Sequence, residues 1–269
     1  MQPAHTVAVR TCHRVEFYSE TPFTLAPPTA LSSAWNEIDG RASVLRRLAT
    51  IAVGADSKIL GEAFIAEQCR RPFLKTTVAT MPFPCIDKTF LLAQRIKDQY
   101  QFFASLEYER AAFQLLDMGR ESHPKDLVVF GGGILGRSIA NHAISLRYER
   151  VFVLTRNPSR CEAAIESSHI EVRSYNQFSA PTEADVVIAV HTTQAARKRI
   201  EKVLRSTRGG AVVDFSGESN AVNTTLSIQT MHDPSFIDLI ERNNSELMPL
   251  VPKVRDAIDR ELESLVEAI

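Results

Sequence analysis

The chain has 269 residues, 44% of them hydrophobic and 23% charged, a length that exceeds one ordinary compact domain and suits two. Its 31 Lys plus Arg against 32 Asp plus Glu give a formal net charge of −1, so no overall basic field advertises nucleic acid and only a local patch would recruit it. Cys12, Cys69, Cys85 and Cys161 lack CxxC or Cys/His pairing, which argues against a zinc site or a disulfide-dense secreted domain; no apolar run approaches the roughly 20 residues of a membrane span, and a soluble cytoplasmic protein without metal is expected.

Val7–Tyr18 alternates and reads as one strand, with Val7, Val9, Thr11, His13, Val15 and Phe17 on one face and Arg10, Cys12, Arg14, Glu16 and Tyr18 on the other. A thiol flanked at i−2 and i+2 by guanidinium groups is shifted toward the reactive thiolate, which makes Cys12 a candidate nucleophile rather than a small hydrophobe stranded on a polar face. A proline-rich connection, Thr21–Thr29, precedes a helical pattern over about Ala42–Val53, carrying Val44, Leu45, Leu48, Ile51 and Ala52. A second helix is predicted from near Gly61 through Phe64, Ile65 and Gln68, ended by the prolines at 72, 82 and 84. Asp87–Met118 is helical in pattern and links two domains.

The second domain opens on a hydrophobic strand, 127–130, running into Gly131-x-Gly133-x-x-Gly136 and a helix. Those glycines suit a tight turn, close approach to a pyrophosphate and close helix–strand packing, with Ile134 and Leu135 at the helix N-terminus that faces the phosphates. The next strand, 150–154, ends in Thr155-Arg156-Asn157-Pro158-Ser159-Arg160, where an acidic ribose reader is absent. Arginine there pairs with a 2′-phosphate, which favours NADPH over NADH; an NAD site with a surface arginine is the alternative. Strands at 184–190 and 210–215 continue a parallel sheet. From Asp238 onward the composition is helical, interrupted by Pro249 and Pro252, and this tail packs on its own domains or on a second copy.

Two motifs now resemble a known family. Thr11-Cys12-His13-Arg14-x-Glu16-x-Tyr18 resembles the Thr-Cys-Asn-Arg-x-Glu-x-Tyr motif of glutamyl-tRNA reductases, and Gly54–Gln68 resembles that family's Gly-Leu-Asp-Ser-x-x-x-Gly-Glu-x-x-Ile-x-x-Gln segment. Leu154-Thr-Arg-Asn is similar to its nucleotide-domain turn in shifted form. The resemblance implies an NADPH-dependent, aldehyde-forming reductase of tetrapyrrole (porphyrin) biosynthesis in which Cys12 takes the glutamyl group from tRNA as a thioester. It further implies that Thr11, Arg14, Ser57, Glu62 and Gln68 bind substrate, and that Gly131, Gly133, Ile134, Leu135, Gly136, Thr155, Arg156 and Arg160 hold NADPH.

The expected architecture is an N-terminal α/β catalytic domain (1–104), a Rossmann-like NADP-binding domain (105–235) and a C-terminal helical tail (236–269), with homodimerisation through that tail. Arg47 stands where the family has a histidine implicated near its active site, and arginine cannot transfer a proton at neutral pH. His13 replaces the motif's asparagine and is read as structural; His191 is read as a loop residue after a strand. Measured against the family, the chain reads as a shortened member lacking its first segment and most of its dimerisation domain. The alternatives are therefore a reductase of another aminoacyl-tRNA or of a carrier-bound acyl group, and a non-catalytic NADPH-binding regulatory paralogue.

Overall fold

The computed structural model describes residues 6–10, 14–19, 37–75, 86–118, 124–146, 148–165, 167–176, 178–190, 194–216 and 226–267. The chain divides into two units, Met1–Ser105 with Arg242–Ile269, and Leu106–Glu241. The tail that the sequence sets apart from residue 236 thus rejoins the first unit from residue 242 onward.

The first unit begins with β1 (Thr6–Arg10) and β2 (Val15–Ser19), paired antiparallel from Thr6↔Ser19 to Arg10↔Val15. This corrects the single strand expected over Val7–Tyr18. Val7 and Val9 are buried as alternation predicts, but reversing the chain resets the pattern: Tyr18, expected outward, is buried, and Val15, expected inward, is 51% exposed. A face for Cys12 therefore cannot be counted from Val7, because side-chain direction is inherited only along one uninterrupted strand.

Helices α1 (Arg41–Val53), α2 (Ile65–Lys75) and α3 (Ile86–Gln99) supply most of this unit's core. In α1, Leu45, Leu48, Ile51 and Ala52 recur at three- and four-residue spacing and are all buried, which is why the segment is a helix with one committed face. Pro72, expected to end the second helix, lies inside it. A proline there loses a backbone hydrogen bond, and the gain that offsets it is the burial of Phe73 between Tyr18 and Phe90, with ring centroids at 5.4 and 6.3 Å. Pro82 and Pro84 fall outside the described residues. The helical run expected over Asp87–Met118 is broken into two: Gln101 adopts φ 50°, Phe102 N–H turns back to the Lys97 carbonyl at 2.9 Å, and a new helix, α4 (Tyr108–Asp117), begins in the second unit.

The second unit is built on a six-stranded parallel sheet of β3 (Asp126–Phe130), β4 (Arg150–Thr155), β5 (Ile170–Ser174), β6 (Asp185–Ile188), β7 (Ala211–Asp214) and β8 (Ser227–Thr230). Their spatial order is β5-β4-β3-β6-β7-β8, every pair parallel. Renumbered within the sheet this is 3-2-1-4-5-6, the Rossmann order. Helices α5 (Ile134–Ile144), α6 (Pro158–Glu162) and α7 (Gln194–Ser206) follow β3, β4 and β6. The central strands β3 and β6 are wholly buried, as strands covered on both faces must be. Buried Asp185 is satisfied by the Tyr148 hydroxyl at 2.7 Å and the Ala211 N–H at 2.9 Å.

Helix α8 (Pro234–Leu247) leads back to the first unit, and a 3₁₀ turn over Met248–Leu250 joins it to α9 (Val251–Glu267). Pro249 sits in that turn and Pro252 in the first turn of α9, positions where a missing N–H costs least. Val254, Ala257, Ile258 and Leu262 of α9 are buried against α1 and α3. Asn243, 1% exposed, donates to the Leu60 carbonyl at 3.1 Å and accepts from the Ser105 N–H at 2.8 Å. Among the described residues no helix is long and apolar enough to cross a membrane, and no cluster of His, Cys, Asp or Glu is disposed to hold a metal ion.

Asn243→Ala strands a buried carbonyl and a backbone N–H, so it should cost about 1–3 kcal/mol. Differential scanning calorimetry should register this as a fall of several degrees in Tm, with Ser245→Ala on the exposed side of α8 shifting it by less than one.

Candidate functional site

The loop from Gly54 to Glu62, between α1 and α2, carries two of the substrate residues implied by the sequence, Ser57 and Glu62. Gly54 caps α1, and the Gly61 N–H closes the loop onto the Gly54 carbonyl at 3.2 Å. Gly61 has φ 70°, and a Cβ there would stand 2.8 Å from Ala104 N and Phe102 O, so only glycine lets the loop lie on that backbone. From α8, the Asn244 amide donates to the Lys58 carbonyl at 2.9 Å and its carbonyl accepts from the Leu60 N–H at 2.9 Å.

Charge converges on Asp56 in this loop. Its carboxylate is paired with Arg47 of α1 and, at 2.8 Å, with Arg255 of α9, while its backbone carbonyl accepts from Arg14. Arg47 also grips Glu16 at 2.8 Å, and the Tyr18 hydroxyl donates to the second Glu16 oxygen at 2.5 Å. Burial pulls the Arg47 pKa down, but the hydrogen bond and charge of Glu16, with Asp56, prevail and raise it. Burial and then Glu16 push the Tyr18 phenol up. Arg47 is thus a fixed structural cation.

Two buried side-chain atoms at this loop have no hydrogen-bond partner among the described residues: Arg14 Nη1, on the guanidinium that touches Asp56, and Ser57 Oγ, on the next residue. An unmet buried donor costs about 1–3 kcal/mol. Glu62 and Gln68 are half-buried. The Glu62 carbonyl accepts from Lys97 Nζ at 2.8 Å, and burial lowers the Lys97 pKa against the opposing charge of Glu62. Cys69 is buried, and desolvation, followed by the charge of Glu16, pushes its thiol up to about 12, with Arg14 and Arg47 opposing and Glu62 adding to the rise. Arg14, Glu16, Arg47 and Glu62 therefore all bear on one locus. Thr11, Cys12 and His13 lie outside the described residues, as does His191. Asp56, Arg255 and Lys97 are members that sequence reasoning missed, while Glu16 and Arg47 stood at motif positions there without a binding role. Asp56 was visible inside the Gly54–Gln68 motif; Arg255, some 200 positions away, carried no local signal.

In the second unit, β3 runs directly into Gly131-Gly-Gly133 and α5, with Gly133 at the helix N-cap. A Cβ on Gly136 would lie 1.8 Å from the Gly131 carbonyl oxygen, so the helix approaches the strand only because that side chain is missing. A Cβ on Gly133 would meet nothing within 4 Å, leaving open space at the end of α5, where its free N–H groups gather. Gly131 N–H bonds the Leu154 carbonyl at 2.9 Å, and Ile134 and Leu135 are half-buried in the first turn of α5. Half-buried Thr155 ends β4; Arg156 and Arg160 beyond it are exposed, and Asn157 caps α6 by accepting from the Arg160 N–H at 3.4 Å. Burial raises the Tyr175 phenol while Arg156 and Arg199 lower it, which puts both cations near this edge of the sheet. An open glycine cradle and two exposed arginines without an acidic neighbour at the strand end fit a dinucleotide carrying an extra phosphate.

Residues 126–217 match the family described as "NADP oxidoreductase coenzyme F420-dependent". Protein nfe2 of Rhizobium meliloti is 25% identical, covering 96% of this chain and 87% of that protein. The glutamyl-tRNA reductase of Aeropyrum pernix is 25% identical over 98% of this chain and 67% of its own length, and that of Psychrobacter cryohalolentis 32% identical over 51% and 32%. The chain is a relative of the glutamyl-tRNA reductases. It spans from 32% to 67% of the length of those reductases that it matches. The solved structure of glutamyl-tRNA reductase from Methanopyrus kandleri aligns over 98% of this chain and 71% of that one, at 18% identity and a TM-score of 0.41. Strand order, glycine loop and matched family together make the second unit a Rossmann-like, NADP-binding type of domain.

With its pKa near 12, Cys69 is almost entirely thiol at pH 8, and its alkylation by iodoacetamide should be about a thousandfold slower than that of an exposed cysteine. Peptide mapping before and after unfolding in guanidinium checks this: Cys69 should become labelled only in the unfolded chain.

Proposed function

We propose that this protein is an NADPH-dependent reductase of the glutamyl-tRNA reductase type, converting an aminoacyl-tRNA ester to an amino aldehyde through a thioester on Cys12. The observation that carries the reading is a pair of buried atoms with no partner among the described residues, Ser57 Oγ on the Gly54–Glu62 loop and Nη1 of Arg14, whose guanidinium donates to the neighbouring Asp56 carbonyl. Arg14, Arg47 and Arg255 gather there with Glu16 and Asp56, and the edge of the Arg14 guanidinium that carries Nη1 has no partner among the described residues. A substrate carboxylate suits that edge of an arginine fork.

In this reading the Cys12 thiolate attacks the ester carbonyl and the tRNA 3′-oxygen leaves with a proton, giving the thioester. Arg14 and Ser57 anchor the substrate side chain, Glu62 and Gln68 orient its ammonium group and polar edge, and Thr11 lies beside the nucleophile. Gly131, Gly133, Ile134, Leu135, Gly136 and Thr155, with Arg156 and Arg160 toward its 2′-phosphate, would hold NADPH, whose chemistry when bound would be hydride donation. Glutamate-1-semialdehyde is the product if the donor is glutamyl-tRNA, as in the relatives' printed name. A homodimer through the C-terminal helix would use the polar outer side of α9, because its apolar stripe is covered by α1 and α3.

One observation favours the second reading, a regulatory paralogue that binds NADPH without turnover. Arg47 occupies the family histidine's place and is locked between Glu16 and Asp56. A single-turnover incubation with labelled glutamyl-tRNA, with and without NADPH, followed by intact-protein mass analysis and aldehyde trapping, separates the two. A Cys12 adduct consumed on NADPH addition supports the enzyme; NADPH binding without any adduct overturns it.

Cys12→Ser should abolish aldehyde formation with NADPH affinity unchanged, as read by trapping and by nucleotide fluorescence titration; undiminished turnover would sink the thioester. Arg156→Ala should weaken NADPH by about tenfold to a hundredfold, the worth of one charge-assisted contact, and leave NADH almost unaffected. Equal losses for the two nucleotides would place the 2′-phosphate elsewhere.

A further inference from the structure

Helix α7 of the second unit carries Arg197, Lys198, Arg199, Lys202 and Arg205 against a single acid, Glu201, in a chain whose formal charge is −1. Its apolar residues Ala196, Ile200, Val203 and Leu204 are buried, which turns Lys198, Lys202 and Arg205 to solvent at i, i+4 and i+7. The stripe is roughly 10 Å long, over which a nucleic-acid strand presents about three phosphates. Several exposed cations elsewhere pair with carboxylates, as Arg46 with Asp259, Arg95 with Glu261, Lys125 with Glu149 and Arg173 with Glu171, whereas these three form no ion pair among the described residues and stand together on one helix face.

Helix stability does not account for them. Arg205 in the last turn complements the helix dipole, but Lys198 and its two arginine neighbours in the first turns oppose it, with no acidic residue there to compensate. Nor does the exposed face fit a protein partner or a bilayer: α7 displays no exposed large hydrophobic residue to fill a pocket or enter a membrane. A purely cationic face without an apolar anchor matches the phosphate backbone of a nucleic acid, which is read by charge alone.

We infer that the outer face of α7, through Lys198, Lys202 and Arg205, is a docking surface for the sugar-phosphate backbone of RNA, namely the body of a tRNA. The choice of RNA rests on the aminoacyl-tRNA reading above. The surface explains how a chain of nearly neutral net charge engages a polyanion.

The test is a fluorescence-anisotropy titration of the full chain with labelled, unacylated tRNA between 50 and 250 mM KCl. Replacing all three residues (Lys198→Gln, Lys202→Gln, Arg205→Gln) should weaken binding at least about tenfold at 100 mM salt and reduce the log–log salt slope by about two, with NADPH affinity unchanged. The control triple Lys88→Gln, Lys253→Gln, Arg260→Gln in the first unit should bind as wild type. If the α7 triple does not fold, Lys198→Gln alone should lower the slope by about 0.7. Wild-type affinity and slope in the α7 variant, or an equal loss in the control, overturns the surface while leaving the thioester reading to its own adduct assay. Absence of tRNA binding by the wild-type chain, with α7-dependent binding to phosphatidylserine vesicles instead, overturns it in favour of a membrane.

Discussion

Three guanidinium groups from three distant parts of the chain meet on Asp56: Arg14 from the start of the chain, Arg47 from α1 and Arg255 from α9. Arg47 and Asp56 are partly withdrawn from water, where removing one partner leaves a poorly solvated charge, while the more exposed Arg255 adds a weaker, solvated contact. The Gly54–Glu62 loop therefore has one position available to it, and the candidate substrate residues Ser57 and Glu62 inherit that position. Asn243 and Asn244 do the same work with neutral hydrogen bonds, fixing Lys58 and Leu60 from α8. The C-terminal helices are in this sense part of the site's scaffold.

The second unit relies on the opposite physics. Apart from one buried aspartate each, its central strands are apolar, and its geometry is set by apolar burial on both sheet faces and by one missing side chain, Gly136, that lets α5 close onto the strand loop. The polar features that would recognise a cofactor are confined to strand ends and the α5 N-terminus, where backbone N–H groups and arginines stay solvated until a ligand arrives. One unit centres on a charge network, the other on an apolar frame with a glycine loop at its rim.

The elements most legible in the sequence were those whose signal is local and whose environment is uniform. The 127–130 and 150–154 strands are continuous hydrophobic runs because both faces are covered, and α1 shows one apolar stripe because it has one buried face. The edge strands β5 and β8 went unnoticed, since half-exposed strands of four or five residues have too little apolar content to stand out. The antiparallel pair β1 and β2 was read as one strand because the sequence between them carries no glycine or proline. The break at Gln101 was likewise hidden, a left-handed residue of ordinary type inside an otherwise helical pattern.

By itself the sequence determined the composition-level exclusions, the glycine turn with its strand and helix, and the residue types of the two motifs, because each depends on neighbours within a turn or a strand. Only the tertiary structure decided which of those side chains meet. It set Arg47 into an ion-pair network, drew Arg255 onto Asp56, buried Cys69 among charges that hold it as a thiol, and left Arg14 Nη1 and Ser57 Oγ without partners among the described residues. Ion pairing and desolvation act through space at a few ångströms, and the order of residues along the chain does not encode that distance until the chain has folded.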